Sequence, residues 1–205
     1  MNRKTQFDRP CFFRTLAVAL LLSLPLTACS SPMNDQPDIK LNSHPVQRYE
    51  ITVTTDAPGP FDSAKGYAHY QVSNVDCVPR DAFEGARNIP NRGHEFTLTK
   101  VSDKTYKGYF YLDQLQNEDY FGLGVCHFDL TSVWAGFGVH GMTFGAIMSA
   151  DTLSAQKPTV WYTPKKVYFD SSEHSSNWSL PMPELNAKER SQYFEVTITA
   201  RKVSP

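Results

Sequence analysis

Phe194-Glu195-Val196-Thr197-Ile198-Thr199-Ala200-Arg201 sets Phe, Val, Ile and Ala at every second position against Glu, Thr, Thr and Arg. A period of two puts one set of side chains on each face of an extended chain, so the segment reads as a half-buried β-strand. The same alternation recurs upstream. Tyr49, Ile51 and Val53 alternate with Glu50, Thr52 and Thr54; Ala68, Tyr70 and Val72 with His69, Gln71 and Ser73; Phe96 and Leu98 with Glu95, Thr97 and Thr99. It continues through Tyr106, Gly108, Phe110 and Leu112, and through Cys126, Phe128 and Leu130. Turn signals separate these runs: Asp56 to Pro60, Ile89 to Gly93, Ser102 to Lys104, and the acidic link Gln114 to Asp119. At least six strands so punctuated predict an all-β fold, an antiparallel β-sandwich of immunoglobulin-like architecture.

Residues 131–169 are less regular, with aromatic residues among glycines, and two or three more strands are expected there. Asp170 to Ser191 is polar and proline-interrupted, apart from a short helical turn expected over Leu185 to Arg190. A connection of that length is uncommon without a purpose, which makes it a candidate binding loop.

The first thirty residues read differently. Arg3, Lys4, Arg9 and Arg14 precede an apolar run from Leu16 to Leu26. Positive charge followed by a short apolar stretch is the pattern of an export signal, and the run is about half the ~20 residues a membrane-spanning helix needs. It ends in Leu26-Thr27-Ala28-Cys29, which resembles the lipobox of bacterial lipoproteins. What the resemblance implies is cleavage before Cys29 and lipidation of its thiol, with each buried methylene worth about 0.8 kcal/mol of anchoring. Residues 1–28 are then a signal peptide, 29–45 a flexible tether spanning some 20–25 Å on average, and 46–205 a single sandwich domain. Ser30, where an aspartate would resemble an inner-membrane retention signal, favours the outer membrane, with the domain facing the periplasm.

Export accounts for the remaining cysteines. Cys11 leaves with the signal and Cys29 takes the lipid, so Cys77 and Cys126 are left in an oxidising compartment. They are expected to form a disulfide, one that could clip the two sheets as in immunoglobulin-like domains, the alternative being a reactive free pair. Closing a loop of about 49 residues would stabilise the fold by roughly 4 kcal/mol on the chain-entropy model. The immunoglobulin tryptophan between the two cysteines is missing, so the expectation is of sandwich architecture only. Of the 20 Lys+Arg and 21 Asp+Glu in the chain, four and one precede Cys29, which leaves 16 against 20 and a net charge of about −4. No basic stripe points to nucleic acid.

Nothing in the sequence carries an enzyme motif: there is no Gly-x-Ser-x-Gly elbow, phosphate loop, dinucleotide fingerprint or Cys-x-x-Cys pair. His127 and Asp129 stand at i and i+2 on one strand face, a spacing that could present two metal ligands. With Cys126, Phe128 and Leu130 turned to the core, they read better as solvated, as does His69. Glu118 and Asp119 read as turn residues without the raised pKa a general acid needs. No catalytic residue, metal or cofactor is expected. Tyr109 and Tyr111 are predicted to face away from Phe110 and Leu112, and aromatic residues accumulate again from Trp161 to Trp178. Such side chains bury large areas in protein contacts, although outward aromatics also pack under loops.

The stretches Tyr106-Lys107-Gly108-Tyr109-Phe110-Tyr111-Leu112-Asp113 and Glu118-Asp119-Tyr120-Phe121-Gly122-Leu123-Gly124-Val125-Cys126-His127-Phe128 resemble a group of proteobacterial lipoproteins encoded beside secreted antibacterial toxins, as in type VI secretion clusters with lipase effectors. The resemblance covers about Tyr49 to Leu130. What it implies is an immunity protein that binds and neutralises a cognate toxin, with a phospholipase as the toxin. The other expectation is a non-catalytic envelope lipoprotein that binds glycan, polysaccharide or a secretion-machine subunit. On the immunity reading, the loop Ser171 to Glu184, with Trp178 and Glu184, and the tip Asp119 to Gly122, with Asp119 and Tyr120, approach the toxin. Cys29→Ser should leave the domain folded but move the protein from the membrane pellet to the soluble periplasmic fraction; an unchanged pellet fraction would refute lipidation at that residue.

Overall fold

The period-two segments of the sequence become the strands of two packed sheets. A computed structural model describes residues 36–169, 176–178 and 186–204. Among these, one sheet contains β1 (Arg48–Thr55), β4 (Thr99–Ser102), β5 (Thr105–Tyr111), β8 (Thr159–Pro164) and β10 (Tyr193–Lys202), in the order β4-β5-β1-β10-β8. The other contains β2 (Ser63–Val72), β3 (Asn91–Thr97), β6 (Phe128–Val139), β7 (Met142–Ser149) and β9 (Ser176–Trp178), in the order β3-β2-β6-β7-β9. Three short helices connect or flank strands: α1 (Ala150–Ser154), α2 (Lys165–Phe169) and α3 (Ala187–Arg190). The sandwich expected from alternation is present, and its pairings are antiparallel except for β7 with β9.

The inward residues are those the alternation marks. β1 lies between β5 and β10, so Ile51 sits opposite Gly108 and Ala200, and Val53 opposite Tyr106 and Ile198. Ile51, Val53, Phe194 and Ile198 are wholly enclosed. From the second sheet Phe137, Phe144 and Ala68 meet them, and Phe61, Tyr106, Phe137, Phe144, Tyr168 and Phe194 form a continuous aromatic cluster. Neighbouring rings in it lie 4.7–6.4 Å apart, a spacing at which edge and offset contacts add to simple burial. Leu98, buried between β3 and β4, is where one extended run leaves the second sheet for the first.

Two expectations change. Cys77 and Cys126 are bonded, with Cα atoms 5.3 Å apart, but the bond does not clip the two sheets together. Cys77 follows β2 and Cys126 precedes β6, and those strands are neighbours in one sheet, with Val72 opposite Phe128. The disulfide therefore joins two loops at one end of the sandwich. The sheets are tied instead by side chains: buried Tyr70 on β2 donates its hydroxyl to the Tyr111 carbonyl on β5 at 2.5 Å, and Trp161 on β8 donates to the Ile147 carbonyl on β7 at 2.7 Å.

The second change concerns the tether. Residues 36–42, expected to be part of it, are laced to the domain. Ile39 is buried in the core, Leu41 bridges Leu115, and Asn42 N–H donates to the Gln114 carbonyl at 2.9 Å. Gln116 N–H donates to the Lys40 carbonyl, and Arg92 reaches the Ile39 carbonyl. A buried isoleucine with paired backbone on both sides is part of the fold, so the fold takes in Ile39 to Asn42 and does not first begin at residue 46.

Tyr70→Phe should lower the unfolding free energy by about 1–2 kcal/mol, because it takes the Tyr70 donor from the part-buried Tyr111 carbonyl. A urea midpoint indistinguishable from that of the parent would show that the cross-sheet bond adds nothing.

Candidate functional site

Two features of the described residues could serve binding: one end of the sandwich, and the outer face of the sheet that holds β1. The end is built from the loops over residues 73–90 and 112–127, which the disulfide joins. Asp119 shapes its tip, its carboxylate accepting from Leu123 N–H at 3.1 Å and Phe121 N–H at 3.4 Å. Tyr120 accepts from Lys40 N–H at 3.2 Å and donates to the Gln116 carbonyl at 2.9 Å, while its ring stands edge-on to Phe128. Of the two tip residues proposed from sequence as partner contacts, Asp119 thus folds the tip on itself and Tyr120 holds it to the entering chain. The large apolar side chains the tip leaves in solvent are Leu123 and Val125.

Beside this tip a cleft of about 490 Å3 opens between the two sheets. Tyr49, Leu112, Phe128 and Leu153 give it apolar walls, while Gln47, Gln116 and Asp129 bring polar side chains. Asp113 also lines it, but its carboxylate is committed to Val46 and Gln47 N–H, each at 2.9 Å. The cleft is of small-ligand size, with mixed walls.

The outer face of β1 carries the densest charge. Glu50 points away from the core yet is only 7% exposed, because β5 and β10 close over it. Arg201 Nη2 and Nε lie 3.0 and 3.2 Å from its Oε1, Lys107 Nζ is 3.2 Å from the same oxygen, and the Tyr109 hydroxyl donates to Oε2 at 3.2 Å. The Arg201 hydrogen bond is the largest influence and holds the Glu50 carboxyl below its ordinary range, with Lys107 and Tyr109 adding to it and burial opposing it. Arg48 lies over the Tyr109 ring at 3.9 Å, and its Nε is enclosed without an acceptor. Two cations, Arg201 and Lys107, thus bond one anion, and a third, Arg48, lies on the tyrosine bonded to it, which stays 42% exposed. Tyr109 and Tyr111 do lie on the face opposite Phe110, as alternation predicts. That Glu50, Tyr109 and Arg201 converge was not visible, because alternation does not say which strands are neighbours.

The remaining sequence candidates fall elsewhere. Trp178 ends β9, its backbone paired with Gly145 of β7; Glu184 and most of the loop Ser171 to Glu184 lie outside the described residues. Residues 143–145 pair with 136–138, whereas the Asp119 tip adjoins the opposite end of β6. Ten residues of strand at ~3.3 Å each put about 30 Å between the two elements, so they do not form one continuous patch. His127 and His69 are exposed, as is Asp129, and among the described residues no three His, Cys, Asp or Glu side chains are grouped for a metal.

No family model, curated protein or solved structure matches the chain.

Glu50 has a depressed folded-state pKa, so its share of stability is present above the unfolded value near 4.5 and is lost as pH falls through the folded value. Glu50→Gln should therefore destabilise the domain at pH 7 and flatten the acid limb of its stability profile below about pH 4.5. Parallel parent and variant curves across that limb would contradict this linkage.

Proposed function

We propose that the chain is a lipoprotein, anchored through Cys29 to the outer membrane and facing the periplasm, that works by binding and not by catalysis. Its role on this reading is immunity: it captures an antibacterial toxin delivered by a sister cell, a phospholipase effector of type VI secretion, and blocks it. The observation that carries the binding role is the Tyr109 face. Tyrosine and arginine dominate the hot spots of protein interfaces, and here Tyr109 is held in place by Arg48 and Glu50 before any partner arrives. A preordered anchor loses less entropy on docking. Arg201 and Lys107 at Glu50, with Arg48 over Tyr109, on a chain that is net acidic beyond Cys29, fit an acidic patch on the toxin. Anchoring suits a target that works at the same membrane.

A second reading, an envelope lipoprotein that binds glycan, is favoured by the cleft between the sheets. Amide and carboxylate groups at Gln47, Gln116 and Asp129 suit sugar hydroxyls, and the rings of Tyr49 and Phe128 suit their C–H faces. On that reading Tyr49→Ala abolishes retention on peptidoglycan or capsular polysaccharide, while Tyr109→Ala leaves it intact.

For immunity, deleting this chain should sensitise cells to siblings armed with the toxin encoded beside it. Tyr109→Ala should restore the fold but not the protection, weakening toxin affinity by about 2 kcal/mol, or roughly thirtyfold. A deletion strain that survives armed siblings unharmed ends the immunity reading; full affinity in the Tyr109 variant removes only the face.

A further inference from the structure

Four large apolar side chains left in solvent belong to the two loops that the disulfide joins: Val75, Phe83, Leu123 and Val125, at 44, 98, 54 and 46% exposure. Single exposed apolar residues are ordinary, but several on one clipped pair of loops mark a contact surface. Phe83 is the extreme case, and its backbone is built to present it. The Asp81 carboxylate accepts from Phe83 N–H at 2.8 Å and Glu84 N–H at 2.7 Å, and Asp81 N–H donates to the Ala86 carbonyl at 2.7 Å. Arg87 braces the base of the turn, donating to the Val75 carbonyl and, at 2.8 Å, to that of Val78. The turn is ordered before Phe83 meets anything, so burying that ring costs little chain entropy.

The chain arrives at this same end. Lys40 is bonded to Tyr120 and Glu118 of the tip, and the Gln36 side chain accepts from Asn91 N–H at the start of β3. Six residues, or seven Cα-to-Cα steps, separate Gln36 from Cys29, which at 3.3–3.6 Å a step is at most about 25 Å. The far end of the sandwich lies a further strand length away, about 40 Å for the twelve residues of β6. A lipid on Cys29 thus holds the disulfide end nearest the bilayer.

We propose that this end is a membrane-contact surface, on which Phe83, with Val75, Leu123 and Val125, seats in the headgroup layer of the bilayer that carries the Cys29 lipid. The proposal rests on the anchored-lipoprotein reading but not on the identity of any toxin. Charge selects the lipid. Around the patch Asp76, Asp81, Glu84, Glu118 and Asp119 outnumber Lys40, Arg80 and Arg87, an excess that anionic headgroups repel and the ammonium of phosphatidylethanolamine accepts.

The test uses the mature lipoprotein in phosphatidylethanolamine–phosphatidylglycerol vesicles. With Cys29 acylated and Cys77 bonded to Cys126, a Phe83→Cys variant offers a single free thiol for a polarity-sensitive fluorophore; Lys166→Cys, at an exposed position of α2, is the control. The label at 83 should shift to the blue and be quenched by spin-labelled lipid at least about threefold more than the label at 166, and the shift should shrink as the phosphatidylglycerol fraction rises. In the unlabelled protein, amide exchange over residues 82–86 should slow on vesicles, and Phe83→Ser should reverse that slowing without altering the thermal midpoint. A label at 83 as open to aqueous iodide as the one at 166, on protein that sediments with the vesicles, overturns the proposal. So does protection of residues 82–86 in intact cells but not on pure lipid, which would assign the patch to a protein. Absence of a diacylglyceryl adduct on Cys29 by mass spectrometry fails the anchored-lipoprotein reading itself, a result distinct from either.

Discussion

Phe137 and Phe144 face each other across β6 and β7, and Phe194 of the opposite sheet meets Phe144 at 5.8 Å. That contact between sheets is the constraint from which the other features follow. Each sheet must turn one continuous apolar face inward, so each central strand must alternate, and everything capable of recognition is displaced to the outer faces and the ends. Tyr106 and Phe61 extend the cluster along the seam, and Tyr168 closes it by donating its hydroxyl to the Pro60 carbonyl. The hydrophobic gain is spread over many rings, so the edges are free to carry turns and loops.

How much was legible follows from the same constraint. β1, β5 and β10 have core on one side and solvent on the other, and their alternation names their buried residues correctly. β6 and β7 defeat the pattern for two reasons. A bulge between His69 and Tyr70 leaves Thr131 without an opposite residue, so Leu130 and Val133 both face inward and the period slips. On the outer face the Trp134 indole lies flat over Gly136 and Gly145, where any Cβ would come within about 2 Å of it. Apolar residues on both faces hide the period of two. The asparagine cap of α3 was readable as a short helical turn: Asn186 accepts from Lys188 and Glu189 N–H while Glu189 reaches back to Asn186 N–H.

Strand order lay beyond the sequence altogether, and two readings depended on it. Pairing of the cysteines followed from elimination, but its location within a single sheet depends on β2 and β6 being neighbours. The Glu50 cluster likewise exists only because β1 separates β5 from β10. Asp119 and Tyr120 were marked for a partner because they are polar and aromatic at a tip; the structure gives both of them local hydrogen-bonding work. Ile39 and Leu41 were too few to show a period, and their burial is a tertiary fact.

On the proposal that Cys29 carries a lipid, the lacing of residues 36–42 sets the dimensionality of the protein's encounters. On the proposed lipidation of Cys29, six residues lie between the lipid and Gln36, where sixteen would precede Val46, so the domain would patrol a thin layer above one leaflet. Encounters with other membrane-bound molecules then occur in two dimensions, at an effective concentration that a soluble copy of the same domain would reach only at far higher abundance. A molecule free in the bulk of the compartment gains nothing from that confinement. On that proposal the short leash would act as a filter on partners before any side chain touches them.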